Sequence, residues 1–286
     1  MHPAKSFVDD LGHGTAVAGL IAAKDDGFGV VGVAPGARLW AVKSLKKNNT
    51  GTTSTVLCGI DWVTSTRTDG DPSNDIAVAN MSIIGKGSDD GNCGVTNKDP
   101  EHQAICRSVA AGVTWVVAAG NNGADVARFR PAGYDEVLTA TAMTDTDGQP
   151  GGSGPDQIVF NGTACPPDPG LVQDDTAVFF SNFATTGADQ AHTVAAPGVC
   201  IVTDLPGGQL APESGTSFAS PLVAGVAALC IASGPCAGLT PAQIVQKLVS
   251  DAAAYNAANP GYGFGGDPLR PQTGHCYGYL ARAALY

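Results

Sequence analysis

The sequence predicts an α/β fold of three layers, with a mostly parallel central sheet covered by helices on both faces. Helical patterns alternate with short β-rich runs, which is how crossover helices and parallel strands follow one another along a chain. The run "TWVVAA" at 114–119 is apolar throughout, as a strand buried on both faces has to be. With 286 residues, 43% of them apolar, and no repeat, linker or second core, one domain spanning 1–286 is expected.

Taken in order, the periodicities predict a helix over 14–23, a strand over 37–42, a helix over 53–65, a strand over 76–80, a helix over 101–110 and a strand over 113–118. The stretch from Thr144 to Gly170 is rich in Gly, Asp and Pro and reads as loop. A long helix opens near Ser217 in "SGTSFASPLVAGVAALC", with Pro221 expected in its first turn. A second opens in "LTPAQIVQKLVSDAA", where Thr240 is the N-cap and Pro241 the first helical residue.

Charge and composition exclude several functions. A net charge of −11 with only 15 scattered Lys and Arg argues against nucleic acid as a partner. No apolar run approaches the roughly 18 residues of a membrane span, and the Met-His-Pro start lacks the features of a signal peptide. Eight cysteines without a C-x-x-C pair point to disulfides rather than zinc, hence to an oxidising compartment and a secreted protein. Cys93 with Cys106 and Cys230 with Cys236 each flank a short Gly- or Pro-containing segment and are expected to pair. Cys165 with Cys200 would tie the long loop to "AAPGV", leaving Cys58 with Cys276. A secreted protein without a signal peptide suggests an N-terminal segment lost.

Three motifs carry candidate chemistry. Ser217 lies in "SGTSFASP" at the start of the long helix, where the helix dipole favours developing negative charge and Gly215 admits close backbone approach; its bland reading is an N-cap. Asn121, in "AAGNNG", follows an apolar strand and so sits at a strand's C-terminal end, where its amide could donate to an oxyanion or simply close a turn. His13, in "GHGTAVAG", opens a helix and reads as a general base, a cap or a core histidine. The remaining histidines, His2, His102, His192 and His275, read as solvated or structural. "GFGVVG" at 27–32 imitates a dinucleotide fingerprint, but a helix precedes it and Pro35 and Gly36 forbid one after it.

The three motifs, in this order and at these spacings, resemble the subtilisin-like serine proteases, the subtilases, and the "RFRPA" loop at 128–132 is similar to the proteinase K branch. "VVGVAPGARLWAVK", "GIDWV", "NMSIIG" and "AAPGV" extend the resemblance from about Val8 to about Ala252. It implies a subtilisin-like fold and a serine endopeptidase in which His13 is the base, Ser217 the nucleophile and Asn121 the oxyanion donor. Ser82, Ile83, Ile84 and Gly85 on one side, and Asn49, Thr50 and Gly51 on the other, would hold an extended peptide; Ala118, Ala119 and Gly120 would floor the first specificity pocket. Ile84 stands where subtilases often carry glycine and should narrow that pocket, favouring an apolar residue before the scissile bond.

The family's aspartate precedes its histidine by some tens of residues, and only twelve precede His13. Asp9 and Asp10 are weak substitutes, so the expectation is a catalytic domain lacking its first strand and aspartate segment, and impaired as written. The alternative is a noncatalytic peptide-binding pseudoprotease; an esterase is disfavoured because no G-x-S-x-G surrounds Ser217. No cofactor is needed for the chemistry. A structural Ca²⁺ is implied at "KDDGFGV", held by the Asp26 carboxylate and the carbonyls of Lys24, Phe28 and Val30. Polypeptide substrates and a monomeric state complete the expectation.

Overall fold

A computed structural model describes residues 8–165, 173–259, 264–265, 267 and 271–286. Its long helices mostly start where a side chain takes up the amides that a first turn leaves unpaired. Helix α1 (His13–Ala22) follows Asp9, whose carboxylate accepts the amides of Leu11, Gly12 and Thr15 and the Thr15 hydroxyl. Helix α2 (Thr53–Ser65) has the expected bounds and begins with a reciprocal cap between Thr52 and Thr55. Helix α3 (Pro100–Ala110) is capped by Asp99, and the short α4 (Gly187–Gln190) by Thr186. The long α5 (Thr216–Ser233) opens without a side-chain cap, whereas α6 (Pro241–Ala258) begins with Thr240 and Pro241 in the predicted places.

The strands are β1 (Val78–Met81), β2 (Gly85–Lys86), β3 (Thr114–Ala118), β4 (Phe129–Arg130), β5 (Leu138–Met143), β6 (Ile158–Phe160), β7 (Thr163–Cys165), β8 (Thr193–Pro197), β9 (Ile201–Leu205), β10 (Gln209–Glu213) and β11 (Tyr279–Leu280). Five of them form one sheet in the order β1-β3-β5-β8-β11, and every pairing in it is parallel. The period of two sorts β3 between two cores: Val116 packs with residues of α5 and α6, while Trp115 and Val117 pack with residues of α2 and α3. The predicted three-layer α/β architecture is therefore the observed one.

Four expectations about the elements fail. Residues 37–42 form no strand, because no described strand lies beside them; Leu39 and Trp40 are each 44% exposed. The expected loop from Thr144 contains the antiparallel β6/β7 hairpin, and its last five residues, like His2, lie outside the described residues. Helix α5 is apolar and long enough to cross a membrane by length and composition, with mean hydropathy 1.6, yet 61% of it is buried and it packs on the sheet. It also starts earlier than expected, which puts Pro221 beyond the first turn.

Three of the four disulfides form as expected: Cys93–Cys106, Cys165–Cys200 and Cys230–Cys236. Cys58 and Cys276 do not pair; Cys58 is exposed on α2, while Cys276 bonds through its backbone to Ala184. His102 and His192 are buried, as structural histidines are.

Candidate active site

The C-terminal ends of β1 and β3 meet the N-terminus of α5, the place where open parallel sheets gather their sites. Residues Ser82, Ile84, Ala118, Gly120, Asn121, Asn122, Thr216 and Ser217 line a cavity of about 220 Å³ there. Ser217 enters on the first turn of α5, among the amides that a helix leaves unpaired.

Asn121 is held by its oxygen. Its Oδ1 accepts from both the backbone amide and the hydroxyl of Thr216, each at 2.9 Å, while the Thr216 hydroxyl accepts from the Gly120 amide at 3.0 Å. Fixing Oδ1 leaves the Nδ2 hydrogens as the half of the amide still available to donate. Nδ2 lies beside Gly215, whose φ of 148° and closeness to that nitrogen, 3.2 Å from where a Cβ would stand, suit glycine.

Pro221 explains how β1 is tied to α5. Having no N–H, it leaves the carbonyl of Ser217, four residues back, without a helical partner. The Ser82 hydroxyl donates to that carbonyl at 2.8 Å. Asn80 then bridges the two elements, donating to Ser82 Oγ at 3.1 Å and accepting from Ser220 Oγ at 2.6 Å. No site role is read for Thr216, Asn80 or Asn182 from the sequence; Thr216 lies inside "SGTSFASP" and Asn80 opens "NMSIIG", whereas Asn182 lies in no quoted segment.

His13 opens α1, with its ring edge-on to Phe218 at 5.7 Å. Burial holds its pKa below the ordinary histidine value, against the opposing pull of the Asp9 and Glu213 carboxylates, so the ring is biased towards its neutral form. Among the described residues no side chain hydrogen bonds to it. Asp9 spends its carboxylate on the start of α1; burial raises its pKa, but the hydrogen bonds from Gly12, Thr15 and Leu11 outweigh that and hold it far below the usual carboxylate range. Asp10 pairs with Lys43. Neither supplies the partner that orients a catalytic histidine.

His13 lines a second, larger cavity of about 800 Å³, whose walls include Asp9, Asp10, β1, residues of α2 and residues 37–47. Strand β1 is the last of its sheet on this side, so its outer edge pairs with no described strand.

The other expected site residues divide. Ser82, Ile84, Ala118 and Gly120 converge on the smaller cavity, with Ile84 leaning over Gly120. Ile83 packs against the α2/α3 core, Ala119 is buried within it, and Gly85 pairs with Arg130 in the β2/β4 ribbon. Asn49, Thr50 and Gly51 form an exposed turn closed by Lys46 N to Thr50 O at 2.9 Å; Asn49 lines the larger cavity and none of the three lines the smaller. Lys24, Asp26, Phe28 and Val30 lie in an exposed to half-exposed turn, where Asp26 Oδ1 accepts the Phe28 amide at 3.1 Å.

Residues 2–265 match the Subtilase family. The chain belongs to the subtilases, a family of serine endopeptidases. This subtilase is 32% identical over 247 residues to Subtilisin DY of Bacillus licheniformis, an alignment covering 85% of this chain and 71% of that protein. It is 34% identical over 260 residues to the Thermostable alkaline protease of Halalkalibacterium halodurans, covering 91% of this chain but only 57% of the relative. Among solved structures, a cold adapted subtilisin-like serine proteinase superposes with a TM-score of 0.63 at 27% identity, over 95% of this chain and 74% of the other. A protease of Pseudoalteromonas arctica PAMC 21717 gives 0.65 at 27%, over 95% and 69%. The fold of this subtilase is thus the subtilisin-like α/β fold.

Proposed function

We propose that this chain carries the catalytic apparatus of an endopeptidase in which Ser217 is the nucleophile, His13 the general base and Asn121 the oxyanion donor. The Ser217 Oγ attacks the peptide carbonyl carbon while its proton passes to His13. The carbonyl oxygen takes the displaced electron pair and accepts from Asn121 Nδ2. His13 returns the proton to the departing amine, and water, activated by the same ring, hydrolyses the acyl-enzyme. The observation that carries this reading is the Thr216 grip on Asn121 Oδ1, which spends the acceptor half of the amide and keeps the donor half beside the nucleophile's helix.

The carboxylate that orients His13 enters, in this reading, from the larger cavity, on an extended segment paired with the outer edge of β1. The unpaired edge, the cavity beside it and the lack of any described partner for His13 support it. The domain of 1–286 is then a subtilase catalytic domain without its first strand and aspartate. Ile84 over Gly120 supports a narrow first pocket suited to a small or slender apolar side chain. Ser82 to Gly85 and Asn49 to Gly51 flank an extended polypeptide, and Ala118 to Gly120 floor the pocket, with Ala119 contributing through its backbone.

Secretion is supported by three disulfides, and the working unit is a monomer. Calcium at 24–30 draws on an all-oxygen donor set, the Asp26 carboxylate with the carbonyls of Lys24, Phe28 and Val30. Asp204 approaches the same turn, with Oδ1 2.9 Å from the Cβ position of Gly29. Calorimetry with CaCl₂ that shows no heat of binding removes that ligand set.

Residue roles are tested with an N-terminally extended chain on an unstructured polypeptide. Ser217→Ala, His13→Ala and Asn121→Ala should each abolish or sharply reduce cleavage, and undiminished cleavage by any of them rejects its role. The unpartnered His13 favours a second reading, a peptide-binding module without turnover. Peptide binding with no covalent labelling of Ser217 by a peptidyl fluorophosphonate, in the extended chain, would select it.

A further inference from the structure

Asn182 lies outside all three motifs and is fully buried. Every polar atom of its side chain is spent on the loop that carries Asn121. Nδ2 donates to the carbonyl of Ala119 at 2.8 Å, and Oδ1 accepts from the amides of Asn122 and Ala124, both at 3.0 Å. Its backbone amide donates to the carbonyl of Gly120 at 2.9 Å. These four bonds bracket Asn121 on both sides without touching its side chain. Other bonds hold the loop at single points, Ala119 N to Ala140 O at 2.9 Å, Gly120 N to Thr216 Oγ1 at 3.0 Å, Gly123 N to Phe180 O at 2.7 Å and Phe183 N to Ala124 O at 3.1 Å, whereas the Asn182 side chain ties the two flanks of Asn121 to each other. The fit is close: a Cβ on Gly120, whose φ is 104°, would stand 2.5 Å from Asn182 Nδ2.

We propose that Asn182 is a positioning residue for oxyanion stabilisation: its side chain fixes the backbone of residues 119–124, and Thr216 then fixes the Asn121 amide on that backbone. The inference rests on the reading of Asn121 as oxyanion donor. A donor already in place costs no reorganisation when charge develops, whereas one on a loosened loop must be ordered in the transition state. The loss therefore falls on kcat rather than KM.

The test uses the 286-residue chain and a peptidyl p-nitrophenyl ester, whose reactive leaving group keeps turnover readable. Asn182→Ala should lower kcat at least about 10-fold, approaching the ~10²–10³ expected for loss of an oxyanion donor itself, with KM changed less than about 2-fold. In the Asn121→Ala background it should cost nothing further. Asn182→Asp keeps both acceptor bonds, and its carboxyl can donate to Ala119 only when protonated; its kcat relative to wild type should rise towards acid pH. Multiplicative losses in the double variant, a loss confined to KM, or Asn182→Asp equal to wild type at every pH overturns the proposal. If Asn182→Ala does not fold, Asn182→Asp and its combination with Asn121→Ala decide. If Asn121→Ala alone leaves kcat unchanged, the oxyanion reading fails instead. The NMR signals of the Asn121 side-chain amide protons then judge the positioning separately: they should shift and broaden in the Asn182 variants, and unchanged signals overturn it.

Discussion

Asn121 shares the smaller cavity with Ser217, and His13 lies edge-on to the next residue, Phe218, yet the two stand in opposite kinds of surroundings. Around Asn121, bonds from Thr216 and Asn182 and the buried strands β3 and β5 leave nothing loose. Around His13 there are, among the described residues, a strand edge with no partner strand, a cavity of about 800 Å³ and a ring to which no side chain hydrogen bonds. On the proposed roles, the electrostatic half of the site is built from the interior of the sheet, and the proton-transfer half depends on the sheet's margin, which pairs with no described strand. Electrostatic preorganisation and base catalysis are thus separable properties here, with different structural supports.

The largest test of that contrast is chemical. If the proposed roles hold, supplying a carboxylate to His13 through an N-terminal extension should raise turnover by on the order of 10⁴, since an unsupported imidazolium and the wrong tautomer both penalise the transition state. Asn121→Ala should lower turnover by about 10²–10³ with or without the extension, because its support does not involve the open margin. An Asn121 effect that appears only in the extended chain breaks the separation. The acid limb of the 286-residue chain's pH–rate profile should fall below pH 6.5, as burial lowers the His13 pKa, and the carboxylate of the extension should move that limb upward; a limb that the extension leaves in place or lowers contradicts a carboxylate beside His13.

Hydrogen exchange should show the same divide. Amides of β1 at Val78–Met81 should exchange on the order of 10³ faster than those of β5, which is paired on both edges. Equal protection would mean that the margin is as closed as the interior.

A smaller effect comes from His102, which is buried, donates from Nε2 to Glu136 Oε2 at 2.8 Å and stacks on Tyr134 at 4.0 Å. Burial lowers its pKa, but the hydrogen bond and charge of Glu136, with Asp89 and Asp90, raise it overall. A raised folded-state pKa stabilises fully below the unfolded value, and that stabilisation is lost as pH rises through the folded value. His102→Gln should therefore cost about 3 kcal/mol at pH 5.5 and progressively less above neutrality, read from melting against pH. A cost independent of pH would show the ring to be held neutral. The smallest expected effect is removal of Cys230–Cys236, which closes a loop of only six residues: about 2 kcal/mol, against about 4 for the 35-residue separation of Cys165 and Cys200.

The same divide governs what could be read from sequence. Elements of the interior were legible, including α2 to the residue and the cap of α6, because periodicity and capping chemistry are local and the packing agrees with them. The strand expected at 37–42 failed because a strand exists only if something pairs with it, and pairing is not local. Ser217, Asn121 and His13 announced themselves in motifs. Asn182 lies in no such segment, and Asn80 opens "NMSIIG" without showing its role there, since each acts through backbone or hydroxyl partners up to 140 residues away. The Cys58–Cys276 pairing failed for the same reason, having been reached by elimination.

The most direct measurement is the rate at which a peptidyl fluorophosphonate labels Ser217, a reaction that needs the base and the oxyanion site but no turnover. The 286-residue chain should label slowly. An N-terminal extension carrying a strand and an aspartate should label on the order of 10⁴ faster, and Asn121→Ala should slow both by the same factor. Equal labelling of the two chains, with Asn121→Ala affecting only one, would contradict the division of the site into a finished half and an open one.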